Sequence, residues 1–201
     1  MTILRLFLFC SCWVFSALTS EDWKKLNNGE ILSYPELPIS REESAYGGTF
    51  CILIEAPLQE IEKAIPEWSK YPEIFSRIRE VKLLKEEPDV SVAWFKVDAI
   101  FFTLRFSTRY HIDSQNHRMD WELDPESEND LRINTGYLQL LPGEEPDSSL
   151  MFYAVASDTK GFFPLPRFLK SYFMKRETRK AMREFKEYVE TSLADVTDNK
   201  D

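Results

Sequence analysis

From residue 79 to residue 159 the apolar side chains of this chain recur at every second position, and a single long helical pattern follows. Period two over so long a stretch means strands, because successive side chains of a strand point to opposite faces. Turn signals cut it into runs at 79–86, 90–98, 102–113, 118–124, 131–141 and 149–159. The breaks are Glu87-Pro88-Asp89, Ser114-Gln115-Asn116-His117 and the stretches 125–130 and 142–147. Consecutive runs joined by such short turns pair antiparallel. In the run 102–113, Phe102, Leu104, Phe106, Tyr110 and Ile112 share one face, and Arg105, Ser107, Arg109, His111 and Asp113 share the other. Such a sheet is greasy on one side and wet on the other.

The stretch 44–55 reads as an earlier strand, with Gly47-Gly48 marking a bulge or a close backbone approach. Pro57 then opens a helix on which Leu58, Ile61, Ile65 and Trp68 recur at helical spacing. Pro66 and Pro72 split it into two short pieces. Upstream, residues 22–28 form a short helix stopped by Gly29, and Pro35 and Pro38 keep 30–40 extended, as a sheet edge or a linker.

The final helix, expected over 167–193, carries two stripes. Met174, Ala181, Phe185, Tyr188 and Ser192 fall within one narrow arc. Leu165, Phe168, Leu169 and Tyr172 lie on roughly the opposite side, and that line runs on as Arg176, Arg179, Arg183 and Lys186. Between Arg167 and Lys186 eight basic residues face two acidic ones, a local charge of +6 in a chain whose net charge is -9. Phe168, Leu169, Tyr172, Arg176, Arg179, Arg183 and Lys186 are therefore candidates for docking on an anionic membrane or a partner protein. An ordinary solvated basic face is the plainer alternative.

The net charge argues against nucleic-acid binding, which needs a basic footprint. At the N-terminus, Arg5 precedes the uncharged apolar run 6–18, and Ala17, Thr19 and Ser20 lead into Glu21-Asp22. This layout predicts a signal peptide over 1–20, cleaved near Ser20, and a periplasmic or secreted protein. The run is too short to span a bilayer. Cleavage removes Cys10 and Cys12 and leaves Cys51 alone in an apolar strand, so no intramolecular disulfide is expected and the thiol is read as structural and buried. One domain is expected: an N-terminal helix and extended segment over 21–43 packed on a domain at 44–194, with a polar tail at 195–201.

Aromatic residues make up 14% of the chain, enough to line a pocket as well as fill a core. The candidates for lining a ligand cavity are Trp68, Tyr71, Phe75, Phe95, Phe106, Tyr110, Trp121, Tyr153, Phe163, Phe168 and Tyr172, and simple core packing is the competing reading for each. Enzyme signatures are thin. His111, Asp113 and His117 make a poor metal set, since one histidine falls in a turn and the other on the wet face. Asp98, Asp120 and Glu122 are the strand carboxylates from which a general acid or base could come, but charged strand residues usually face solvent. No phosphate loop, nucleophile elbow or Cys-x-x-Cys is present, so neither catalytic residue, metal nor cofactor is assigned.

Several short motifs occur in a telling order. Ala56-Pro57 opens the first helix, and Trp68-Ser69-Lys70-Tyr71-Pro72-Glu73 precedes the second strand. Gly136-Tyr137-Leu138-Gln139-Leu140 lies in a late strand, and Gly161 with Leu165-Pro166-Arg167-Phe168-Leu169 leads into the last helix. Over residues 44–193 this layout resembles the START-like superfamily (SRPBCC, polyketide cyclase/dehydrase and lipid transport), which includes the coenzyme-Q-binding proteins. The resemblance implies an α+β helix-grip fold, a curved antiparallel β-sheet wrapped round a long C-terminal α-helix with an apolar cavity between them. It implies binding or transport of a lipid or other hydrophobic small molecule; a monomer is expected, with the last helix and the 161–166 loop as its gate. It carries over no catalytic residue. The other functions kept open are a protein-interaction module with a filled core and a cyclase- or dehydratase-like enzyme acting on a hydrophobic substrate.

Overall fold

The structure is a computed structural model that describes residues 18–34, 45–99, 102–160 and 166–198. Helix α1 (Ser20–Asn27) leads through a short strand β1 (Leu32–Tyr34) into β2 (Tyr46–Ile54). Two short helices, α2 (Leu58–Ala64) and α3 (Tyr71–Ile74), flank a 3-10 turn at Trp68–Lys70. Six strands follow, β3 (Ile78–Glu87), β4 (Val90–Asp98), β5 (Thr103–Asp113), β6 (Arg118–Leu123), β7 (Leu131–Pro142) and β8 (Ser149–Thr159), and then α4 (Arg167–Asp198). The strands form one antiparallel sheet in the order β1-β2-β8-β7-β6-β5-β4-β3. This is the α+β helix-grip arrangement, an open curved sheet closed over by a long C-terminal helix.

Alternation along the strands sorts side chains between two apolar layers. On β2, Phe50, Ile52 and Ile54 enter the main core on the concave side, with Ile61, Trp68, Met151, Met182, Phe185 and Val189. Cys51 and Leu53 point the other way, into a smaller cluster with Leu26 of α1, Leu32, Leu150 and Phe152. The N-terminal segment thus covers the convex side of the sheet. A capping box holds the start of α1: Thr19 Oγ1 accepts from the Asp22 amide (3.2 Å), and Asp22 accepts from the Thr19 amide (2.9 Å). Burial pushes the Cys51 thiol far above its ordinary value, as suits a structural, unreactive cysteine.

Curvature needs two glycines. Gly47 and Gly136 flank β8, and a Cβ at either would collide with β8 backbone at Val155 or Ala154. Only glycine lets the strands approach this closely and bend the sheet towards α4. The outer face of β5 is drier than its alternation suggests. The 124–130 turn folds over it: Asn129 accepts from the Ser107 amide, Asp130 accepts from the Arg105 amide (2.7 Å each), and Arg109 pairs with Asp124 at 2.7 Å. Ser107 and Asp124 are consequently buried rather than solvated.

Helix α4 extends to Asp198, past the expected 193. Its buried stripe is Thr178, Met182, Phe185 and Val189, shifted from the expected arc, and Ser192 is exposed. Polar latches fix it along its length. Lys186 Nζ donates to the Leu53 carbonyl (2.8 Å), and the Glu55 amide donates to Glu190 (2.7 Å). The Tyr188 hydroxyl donates to Glu67 (2.6 Å) and accepts from Lys70 (3.0 Å). Arg77 Nε, just before β3, donates to Glu177 at 2.9 Å.

Candidate functional site

Between the concave sheet face and α4 lies a cavity of about 350 Å³, within the range of small-molecule sites. Its walls are built by strand alternation. Phe95 on β4, Leu104, Phe106 and Tyr110 on β5, Met119 and Trp121 on β6, Leu138 on β7, and Met151, Tyr153 and Val155 on β8 all project inward. Tyr71 and Phe75 close the side beneath α3, and Met174, Thr178, Ala181, Met182 and Phe185 of α4 make the roof. The rings form a continuous lining: Phe95 stacks on Phe106 (5.6 Å between centroids) and Phe75 on Phe185 (6.3 Å), and Trp121 meets Tyr153 at a tilt (4.9 Å).

Of the eleven aromatic candidates, Tyr71, Phe75, Phe95, Phe106, Tyr110, Trp121 and Tyr153 line this chamber. Trp68 stands behind the wall, buried against Tyr110 (4.6 Å) and Tyr71 (5.1 Å). Phe163 lies outside the described residues, as do the 161–165 part of the expected gate, the 6–17 part of the apolar run and the proline-bearing stretch 35–44. Phe168 and Tyr172 do not line the chamber. They are 70% and 60% exposed, because both fall outside the α4 arc that carries Thr178, Met182, Phe185 and Val189.

The basic line on α4 also divides. Lys186 is tied to Leu53 and Glu190, Arg179 lies over the Phe50 ring (5.9 Å), and Arg176 pairs with Glu177 (2.7 Å) while remaining half exposed. Arg183 is exposed and Leu169 is partly so.

Several lining residues went unread in the sequence, namely Tyr46, Met119, Leu138, Met151, Asn134, Ser157 and Thr159. On β8 a signal was available, since Met151, Tyr153, Val155, Ser157 and Thr159 sit at period two. The pair Arg77 and Glu177, at the rim, left none: one hundred residues separate them.

The polar groups deep inside are neutral, and the charged lining residues are Arg77, Glu177, Lys180 and Glu184, with Lys180 standing 3.7 Å from Glu184. Burial pushes the Tyr71, Tyr110 and Tyr153 hydroxyls well above the ordinary phenol value, so all three remain protonated donors. The Tyr71 hydroxyl is already used, donating to the Ile65 carbonyl at 2.6 Å. No hydrogen bond to the Tyr153 hydroxyl occurs among the described residues, and this side chain faces the chamber. Ser157 donates to Asn134 at 3.0 Å, making a short polar strip on one wall. At the rim, burial raises the Glu177 carboxyl, but Arg77 and Arg176 outweigh it and hold the group below the usual carboxylate range. An ionised, doubly paired glutamate is a poor proton carrier. The strand carboxylates considered for acid–base work stand elsewhere: Asp98 pairs with Arg79 (2.6 Å), Asp120 with Arg118 (2.6 Å), and Glu122 is exposed. His117 meets Glu62 (2.7 Å) and His111 is exposed.

No protein-family model matches the chain, and no curated protein does. Solved structures do match. The Zhui aromatase/cyclase from Streptomyces sp. R1128 is 11% identical, covering 74% of this chain and 96% of its own, with a TM-score of 0.64. A START superfamily protein from Mycobacterium smegmatis is 17% identical, with coverage of 71% and 96% and a TM-score of 0.58. A STAR-related lipid transfer protein from Xanthomonas axonopodis is 9% identical, with coverage of 76% and 97% and a TM-score of 0.59. At these identities the likeness is one of fold.

Proposed function

We propose that this chain, which has the START-like helix-grip fold, is an exported carrier that holds a lipid or other hydrophobic small molecule between its sheet and α4. The observation that carries the reading is the aromatic chamber of about 350 Å³, which the protein's own side chains leave unfilled. An interaction module would have no use for such a space, since empty apolar volume costs stability. Water gains little there, because the walls offer few polar partners, whereas an apolar ligand regains the contacts the walls lack. The Tyr153 hydroxyl is a free neutral donor that would orient a ligand acceptor atom.

Carriage is favoured over catalysis by the electrostatics of the site. Its hydroxyls stay neutral and the Glu177 carboxylate at its rim is locked in ion pairs. The fold is shared with a protein named as a lipid transfer protein and with one named as an aromatase/cyclase. For delivery, the exposed Phe168 and Tyr172, with Leu169 beside them and Arg176 and Arg183 further along α4, would rest on an anionic membrane, rings in the interface and cations on the headgroups. The acidic remainder of the protein would keep this face, rather than any other, towards the lipid.

Native mass spectrometry of the protein purified from its exported form, followed by organic extraction, tests the container. A co-purifying apolar molecule that is lost in Phe106→Ala is the expected result. A protein that is empty and refuses fluorescent fatty acids refutes it. Co-sedimentation with vesicles tests docking: binding to phosphatidylglycerol vesicles, absent with phosphatidylcholine and lost in a Phe168→Ala/Tyr172→Ala double variant, is expected. Equal pelleting of that variant overturns the docking face.

A further inference from the structure

A second cavity, of about 650 Å³, opens on the opposite side of the chamber, between α2, the β3–β4 hairpin and the β5–β6 turn. Ile65, Met119 and Leu138 line both spaces, so these three side chains are the partition between them. The inner wall of this vestibule is apolar, with Ile112 and Leu140 beside the partition. Its rim is acidic. Glu62, Glu86, Glu87 and Asp113 line it together with Lys63 and Arg118, four carboxylates against two cations. Glu87 is paired with Lys85 (2.9 Å) and Glu62 with His117 (2.7 Å), and both cations have carboxylate partners outside. Lys63 pairs with Glu60 at 2.7 Å, and Arg118 forms two hydrogen bonds with Asp120 and lies over the Tyr137 ring. Hydrogen bonds from Asn116 hold the Asp113 carboxyl below its ordinary range, so it stays charged. Deeper in, Ser91 of β4 lines the vestibule at 2% exposure, and no hydrogen bond to its hydroxyl occurs among the described residues. The Ser91 hydroxyl is open to the vestibule and available to a ligand there.

We propose that the vestibule is a second binding compartment, and that it takes the positively charged, nitrogen-centred end of an elongated amphiphile whose apolar part passes the Ile65–Met119–Leu138 partition into the aromatic chamber. The inference rests on the container reading above and names the ligand class. The rim's excess of carboxylates selects a cation. Among the described residues no three His, Cys, Asp or Glu converge as metal ligands do, so a diffuse organic cation fits and a metal ion does not. The turn that bears the rim is held firmly enough to present a shaped surface: the His117 carbonyl accepts from the Leu140 amide (2.9 Å), Gln139 donates to the Asn116 carbonyl (2.7 Å), and His117 closes on Glu62.

The test is calorimetric binding of three twelve-carbon probes below their micelle concentrations: dodecyltrimethylammonium, 1-dodecanol and dodecyl sulfate. Wild type is expected to bind the ammonium about tenfold more tightly than the alcohol, with the sulfate weakest, since the partly exposed Glu62 and the exposed Glu86 and Glu87 each contribute about twofold. In Glu62→Gln/Glu86→Gln/Glu87→Gln the ammonium falls to the level of the alcohol, whose own affinity is unchanged. Glu126→Gln/Glu128→Gln/Glu144→Gln, with the same net charge but substituted on exposed positions away from both cavities, keeps the preference. A loss of preference in this control as large as in the rim variant assigns the effect to diffuse surface charge and overturns the proposal, as does sulfate binding equal to ammonium. Dodecanol binding without ammonium preference sinks this inference alone. Failure of all three probes sinks the container reading beneath it.

Discussion

The substitution Gly136→Ala tests whether the chamber wall owes its shape to one missing side chain. Gly136 pairs with Trp121 on β6 and with Val155 on β8. A Cβ there would overlap the Ala154 carbonyl and the Trp121 ring, whose Cε2 would stand at 2.8 Å. The carbonyl belongs to the β7–β8 ladder and cannot swing away without breaking it. The ring is packed on Tyr153 at 4.9 Å and lies near Tyr110 at 6.4 Å, so its only retreat is into the chamber. Overpacking a tight site costs about 1–3 kcal/mol, and involvement of backbone puts this case at the upper end. For a domain of this size about 3 kcal/mol lowers Tm by about 6–12 °C. Melting followed by circular dichroism reads the stability, and displacement of a fluorescent fatty acid reads the chamber, whose affinity should fall as the ring is driven inward. In a Trp121→Ala background part of the clash is gone, so Gly136→Ala should cost at least about 0.5 kcal/mol less there than in wild type. An unchanged Tm, or an equal cost in both backgrounds, would refute the close-approach reasoning.

Tyr153→Phe removes a free neutral donor of the chamber and should weaken an acceptor-bearing ligand about fivefold while leaving a pure hydrocarbon unaffected, checked by calorimetry. The Arg77–Glu177 latch gives a pH signature. Because the folded Glu177 carboxyl is depressed, its stabilisation is fully present above the unfolded glutamate value of about 4.3 and is lost as pH falls below it. The Tm gap between wild type and Arg77→Ala, measured from pH 7 to pH 3, should therefore shrink on acidification; a constant gap would count against the latch. In the uncleaved chain Thr19→Ala should raise hydrogen exchange over α1 about fivefold by removing its cap, with β8 protection unchanged. A signal-peptide cut after Ser20 would have the same effect, so N-terminal sequencing of the exported protein doubles as a check on where α1 begins.

Strand boundaries were legible from residues alone. The expected runs and the observed strands β3 to β8 differ by a residue or so at each end, because period two and Pro/Asp/Asn turns are local properties of the chain. The α+β class and the helix-grip order followed from the succession of elements and the motifs they carry. Five aromatic candidates, Phe95, Phe106, Tyr110, Trp121 and Tyr153, were legible as chamber walls for the same reason: on a strand, facing inward is decided by parity. The α4 residues were not. Phe168 and Tyr172 look like lining in a list of aromatic residues, yet a helix has no parity, and which arc meets the sheet depends on how the whole helix lies. Met182 and Val189 were passed over for that reason.

By itself, then, the sequence determined the elements, their order, the greasy face of each strand and the charge that argues against nucleic acid. What those faces enclose is set by the way the elements pack. The curvature at Gly47 and Gly136, the phase of α4, the Arg77–Glu177 latch and the acidic vestibule behind Ile65, Met119 and Leu138 all join residues far apart in the chain. Such contacts depend on the distances and angles between packed elements, which no local pattern of residues encodes.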